Sequence, residues 1–194
     1  MNAEYESEVS KLQLYTFDIT DQNKTPLLLA ETLAESRFTS IVWSNYGEDD
    51  EFPLGLIAAG MFDGSLSLWD PHTIIQMYKN RNQQEIEINQ GCIALQQVGK
   101  EPIRALEFNP FKPNLLASGG EQVLIHNLDP DVTNPEVVLP GEESPHGSNQ
   151  ITSVSWNKKV THILASASTD STVAVWDLKI NQSIFDFCND DGDD

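Results

Sequence analysis

Apolar and polar residues alternate with a period of two through most of this chain, in short runs that come in groups. Such alternation puts successive side chains on opposite faces of a strand, so each run predicts a β-strand. The first two runs are Leu12–Phe17, with Leu12, Leu14 and Thr16 on one face, and Leu27–Leu33. A second group comprises Phe38–Trp43, Leu54–Gly60, Leu66–Trp69 and Gln84–Asn89. A third comprises Ile103–Phe108, Asn114–Gly119, Gln122–Leu128 and Val137–Leu139. The last comprises Ile151–Trp156, His162–Ala167, Thr172–Asp177 and Ser183–Phe187. Turn residues punctuate the runs, Asp63-Gly64 being a strong hairpin signal because glycine accepts positive φ at little cost. Only Pro71–Asn82 departs from the pattern, with a helical turn predicted through Thr73-Ile74-Ile75.

The groups are copies of one unit. The second strand of each full group is built of small residues: Ala58-Ala59-Gly60, Ala117-Ser118-Gly119 and Ala165-Ser166-Ala167. Small side chains let neighbouring sheets approach closely. The third strand closes on Trp69-Asp70, His126-Asn127 and Trp176-Asp177, spaced 57 and 50 positions apart, and Leu12–Tyr15 aligns with Leu66–Trp69 54 positions earlier. This is the pattern of WD repeats. It predicts an all-β fold, an incomplete WD-repeat β-propeller of about three and a half four-stranded blades. The expected blades are approximately 11–34, 38–89, 102–139 and 151–187, within a partial propeller over 11–188. An acidic segment (1–10) and an acidic tail (189–194) flank it. Closed propellers have ~4–8 blades, so the chain is expected to be part of a longer protein, or to complete its ring with another chain. A buried Trp needs a partner for its one N–H. In WD repeats a loop His and a hairpin Asp complete that network, which here nominates His146, Asp170 and Trp176. Asp63 with Trp69 makes a partial set, and Asp70 and Asp177 occupy the remaining WD positions.

Composition narrows the function. Thirty acidic residues against 11 basic ones give a net charge of −19, which repels phosphate backbones and anionic lipid and excludes nucleic acid as a direct partner. The acidic runs Glu4–Glu8, Glu48-Asp49-Asp50-Glu51 and Asp190–Asp194 read as solvated loops and tails. Cys92 and Cys188, 96 positions apart, form no disulfide framework or metal spacing. The N-terminal residues lack a signal-peptide pattern, and no apolar run reaches the ~20 residues of a membrane span. A cytoplasmic location follows as an expectation, without direct membrane insertion. His72, His126, His146 and His162 are scattered, and no phosphate-binding loop or nucleophile elbow is present. No catalytic, cofactor-binding or metal-binding residue is nominated, and the chain is expected not to be an enzyme.

Several stretches resemble one WD family closely. The run Trp156-Asn157-Lys158-Lys159-Val160-Thr161-His162 through Ser168 is similar to the large WD-repeat subunit of the COPII outer coat. So are Ile103–Leu106, Phe111–Gly119, Leu12–Phe17 and Leu56–Pro71, and the likeness extends over roughly Ser10 to Ile184. The resemblance implies a structural coat component, a scaffold for outer-cage assembly in endoplasmic reticulum to Golgi transport. It implies a peripheral place at endoplasmic reticulum exit sites and on COPII vesicles. Its implied partners, for the full-length protein, are the small outer-coat propeller subunit and the inner-coat adaptor with its small GTPase. The chain departs from the family in lacking the opening strands before Lys11 and the blades and domains beyond, and in placing His126-Asn127 where Trp-Asp is usual. Asp49, Asp50 and Glu51 are the nominated contact residues. The alternative is a WD-repeat adaptor in a ubiquitin, chromatin or RNA-processing complex, since one fold serves many functions.

Overall fold

The structure is a computed structural model, and it describes residues 9–18, 20, 25–47, 51–81, 85–141 and 144–187. Strands β1 (Ser10–Thr16) and β2 (Leu27–Ala34) form a two-stranded antiparallel sheet. Three four-stranded antiparallel sheets follow, each a meander in chain order. The first blade holds β3 (Phe38–Trp43), β4 (Ile57–Met61), β5 (Ser65–Trp69) and β6 (Cys92–Gln97). The second holds β7 (Ala105–Phe108), β8 (Leu115–Gly119), β9 (Val123–Asn127) and β10 (Glu136–Val138). The third holds β11 (Ile151–Trp156), β12 (Ile163–Ser168), β13 (Val173–Asp177) and β14 (Gln182–Phe187). Among the described residues a single helix, α1 (Pro71–Asn80), interrupts the first blade. This is the incomplete all-β propeller that the repeats predict.

Stacking explains why strands such as β4 and β5 are buried at every position. The first and second blades each lie between two neighbouring sheets, so both faces of their pleats must be apolar. Adjacent residues therefore enter different cores. Ile57, Ala59 and Met61 meet Leu12, Leu14, Ala30 and Ala34 of the two-stranded sheet. Ala58, Leu66 and Leu68 meet Leu106, Leu116 and Leu128 of the second blade. From that blade, Ala117, Val123 and Ile125 meet Val154, Leu164, Ala174 and Trp176 of the third. The small-residue strands set the spacing. A Cβ on Gly60 would lie 2.7 Å from Cγ2 of Ile103, and one on Gly119 would lie 2.5 Å from Cγ2 of Ile151.

The third blade has one face that no described residue covers. Val173 and Val175 hold the register positions of Leu66 and Leu68 and of Val123 and Ile125, three and one residues before Trp176, Trp69 and His126. Leu66 and Val123 are only 1% and 3% exposed beneath the next sheet, whereas Val173 is 38% exposed, beside Phe185 and Phe187 on β14.

Two details correct the sequence reading. The outer strand of the first blade was expected over Gln84–Asn89, where Ile86 and Ile88 alternate with Glu85 and Glu87. Residues 85–87 form no strand, and Ile88 makes only an isolated bridge to Leu33. The outer strand is β6, paired to β5 from Ser65↔Gln97 to Trp69↔Cys92. The reason lies in α1, which extends well beyond the expected turn at Thr73–Ile75. Asp70 caps its N-terminus by accepting from the His72 and Thr73 backbone N–H groups at 2.9 and 3.2 Å. The chain must then travel back before it can pair, and it turns at Asn89 (φ 61°) and Gly91 (φ 79°). Gly91 sits so close to the helix that a Cβ there would lie 2.4 Å from Cγ1 of Ile74. In β1, Leu12 and Leu14 are buried as expected, but Thr16 is exposed, because the register to β2 shifts between Leu14 and Tyr15 and breaks the alternation.

Candidate functional site

The third blade assembles the nominated His146, Asp170 and Trp176 through two residues that the repeat pattern did not single out. The Trp176 indole N–H donates to Ser166 Oγ at 2.8 Å. Ser166 Oγ lies 2.7 Å from His146 Nε2, and His146 Nδ1 lies 2.6 Å from Thr172 Oγ1. The Thr172 hydroxyl is 2.6 Å from Asp170 Oδ1, which also accepts from the Thr172 backbone N–H at 2.9 Å. Donor logic fixes the proton positions. The Asp170 carboxylate only accepts, so Thr172 donates to it and accepts from the Nδ1–H of His146. Nε2 of the neutral imidazole therefore accepts from the Ser166 hydroxyl, which itself accepts from the indole. The relay runs from a buried indole to a carboxylate in the hairpin turn. Trp176, His146 and Ser166 are almost fully buried, and burial holds the imidazole of His146 below its usual pKa. The Thr172 hydrogen bonds lower that of Asp170, as a relay with neutral His and ionised Asp requires.

The first blade uses a shorter version. Trp69 donates to Ser67 Oγ at 2.8 Å, and Ser67 in turn donates to the Ala59 carbonyl at 3.3 Å. Ala59 stands where the third blade has Ser166, so the hydroxyl comes from the neighbouring strand instead. Asp63 does not join Trp69; it holds the hairpin by accepting from the Ser65 N–H and hydroxyl at 3.0 and 2.6 Å.

The second blade departs most. His126 takes the Trp position and pairs with Ser118 Oγ at 2.8 Å. Val98 stands where His146 does, five residues before the first apolar residue of the blade, and Gly120 stands where Asp170 does. A cavity of about 40 Å³ is lined by Ser118, Val98 and Gly120, the equivalents of three members of the relay. His126 is fully buried, its Nδ1 has no hydrogen-bond partner, and desolvation pushes its pKa down to about 4.

The remaining WD positions are structural in a different way. Asp70 is the helix cap described above. Asp177 accepts from the Lys179 N–H at 2.9 Å and lies 3.9 Å from His162 Nε2. The equivalent pair in the second blade is neutral, with Asn114 Nδ2 donating to Asn127 Oδ1 at 2.9 Å. Between blades, the Trp156 indole N–H donates to the Glu107 carbonyl at 2.9 Å, and its backbone N–H donates to the Glu107 carboxylate, which also pairs with Lys158. Of the nominated contact residues, Asp49 and Asp50 lie outside the described residues, and Glu51 is an exposed turn residue. Cys92 is half-buried and its thiol is pushed up to about 11 by burial, while Cys188 lies outside the described residues.

Comparison with known proteins places this arrangement. The profile of the WD domain, G-beta repeat, matches residues 139–177, which hold the complete relay. The protein transport protein SEC31 of Dictyostelium discoideum is 37% identical over 177 residues, spanning 90% of this chain and 13% of that protein. The SEC31 of Phaeosphaeria nodorum is 32% identical over 177 residues, spanning 89% and 13% respectively. This chain thus corresponds to about an eighth of the length of the relatives it matches. A solved structure described as COPII on membranes, outer coat vertex, superposes with a TM-score of 0.68 at 22% identity, covering 95% of this chain and 43% of that one; it supports the fold. Across nine-tenths of its length, the chain is homologous to the Sec31 transport proteins.

Proposed function

We propose that this chain is a non-catalytic scaffold element of a COPII-type outer coat, acting in endoplasmic reticulum to Golgi transport. The observation that carries the reading is the similarity to Sec31 proteins across 90% of the chain. It includes the Trp156–Ser168 run on which the sequence resemblance rests. The physics suits the role. Sheets buried on both faces and tied by the Glu107–Trp156 contacts make a stiff arc. A stiff arc presents its loops at fixed spacing, and many weak contacts between such units add through multivalency. The partners in this reading are other coat subunits: the small outer-coat propeller subunit and the inner-coat adaptor with its small GTPase. The site of action is the cytoplasmic face of endoplasmic reticulum exit sites and the vesicles that leave them.

The test is affinity purification of the endogenously tagged protein from its own cells. Enrichment of coat subunits is expected. Recovery of ubiquitin-ligase, chromatin or RNA-processing machinery without coat subunits would overturn the proposal.

A further inference from the structure

Basic residues are scarce in this chain, 11 among 194, yet four of them fall on three linked turns at one end of the second and third blades. Phe111 and Lys112 lie between β7 and β8, Lys158, Lys159 and Val160 between β11 and β12, and Lys179 and Ile180 between β13 and β14. Strand register places all three turns at the same end, since Phe108 pairs Leu116, Trp156 pairs Leu164 and Ile163 pairs Asp177. Hydrogen bonds join them. Asn109 Nδ2 donates to the Thr161 carbonyl at 2.8 Å across the two blades, and the Leu178 N–H donates to the His162 carbonyl at 2.9 Å within the third.

Each turn is also held from inside by an Asx side chain. Asn109 Oδ1 accepts from the Phe111 and Lys112 N–H groups, both at 3.0 Å. Asn157 Oδ1 accepts from Lys159 and Val160 at 2.8 and 3.0 Å, and Asp177 Oδ1 from Lys179 at 2.9 Å. The same device thus presents a lysine beside an apolar side chain three times. Phe111 is 47% exposed and Ile180 55%, and Lys112, Lys159 and Lys179 are exposed with no carboxylate partner among the described residues. Lys158 is already paired with Glu107. Among the described carboxylates at this end, Asp177 is held in its turn, Asp129 accepts from the Tyr46 hydroxyl at 2.8 Å and Asp131 from Thr133, while Glu51 is an exposed turn residue of the β3–β4 connection.

We propose that this end of the second and third blades is a docking surface for an acidic polypeptide segment with interspersed apolar residues. Lys112, Lys159 and Lys179 pair its carboxylates, and Phe111, Val160 and Ile180 receive its apolar side chains. The net charge of −19 opposes any polyanion at long range, but a flat anionic membrane would also have to meet Glu51, Asp129 and Asp131 at this end, whereas a narrow segment can follow the lysine-bearing turns. A preformed, turn-locked surface loses little entropy on binding. The inference rests on the turns alone and does not depend on the coat proposal.

The probe is a short fluorescein-labelled peptide in which Asp and Glu alternate with Leu and Phe. A second peptide with Lys for each acid, and vesicles rich in phosphatidylserine, are the comparisons. The acidic peptide is expected to bind the full chain, more weakly as salt rises. Binding should fall by about tenfold or more when Lys112, Lys159 and Lys179 are all replaced by Glu. Lys100→Glu, in the β6–β7 connection at the opposite end, should leave it unchanged. The same three positions changed to Gln give a milder variant should the Glu variant lose its native tryptophan fluorescence. No binding of the acidic peptide, equal binding by the triple variants, or binding to the vesicles in its place would overturn the proposal.

Discussion

Ser166 is the residue on which the third blade's relay turns, and Ser166→Ala tests the reading of that relay. The substitution removes one buried hydroxyl and leaves two buried partners unpaired: the Trp176 indole N–H and His146 Nε2. Each orphaned buried group costs ~1–3 kcal/mol, so the loss should be about 2–6 kcal/mol. Ser118→Ala provides the internal scale. Ser118 serves a single partner, His126 Nε2, so its loss should be about 1–3 kcal/mol by the same reasoning. The assay is equilibrium urea unfolding of the full chain at neutral pH, followed by tryptophan fluorescence. Combining Ser166→Ala with Asp170→Ala should give less than the sum of the two single effects, because both break one relay. A Ser166→Ala change under ~0.5 kcal/mol, the size of an ordinary surface substitution, would refute the claim that the hydroxyl bridges two buried groups.

Acidification should weaken the second blade: burial holds His126 at about 4 against an ordinary 6.5, so the unfolded chain binds a proton that the folded one refuses. Stability is therefore full above pH 6.5 and falls by about 3 kcal/mol towards pH 4, with His146 acting in the same direction; His126→Phe should flatten the urea-midpoint profile between pH 7 and 5. Asp70→Ala should cost about 1 kcal/mol through the lost helix cap, read as faster hydrogen exchange at His72 and Thr73 with little change in the third blade. Gly119→Ala should cost about 1–3 kcal/mol by forcing a Cβ against Ile151, and Ile151→Ala in the same chain should relieve part of it in a double-mutant cycle.

The strands were legible because period-two alternation and small-residue runs are local signals. Phe38–Trp43 and Ile151–Trp156 are the strands that the pattern predicts, end for end. The outer strand of the first blade was not, because its position depends on how far α1 runs and where Asn89 and Gly91 turn the chain back. Alternation at Ile86 and Ile88 imitates a strand, but only Ile88 finds a partner, the isolated bridge to Leu33. The relay was half legible. Trp176, His146 and Asp170 carry the repeat pattern, but Ser166 and Thr172 are ordinary strand residues in sequence, and only cross-strand register puts Ser166 opposite Ala174 and beside the indole. The swap of Trp for His126 was visible, whereas its buried, half-satisfied state emerges only from packing against the first blade. The three lysine-bearing turns are far apart in sequence and become one surface through the Asn109–Thr161 hydrogen bond.

The central claim, a scaffold element in a COPII-type coat, is tested most directly by following the endogenously tagged protein through a vesicle-budding preparation from endoplasmic reticulum membranes. The tagged protein should float with the coated vesicles, colocalise with coat subunits by immunogold labelling, and wash off with the coat rather than stay with the lipid. Recovery wholly in the soluble fraction, with vesicles that carry a complete coat and no tag, would contradict it.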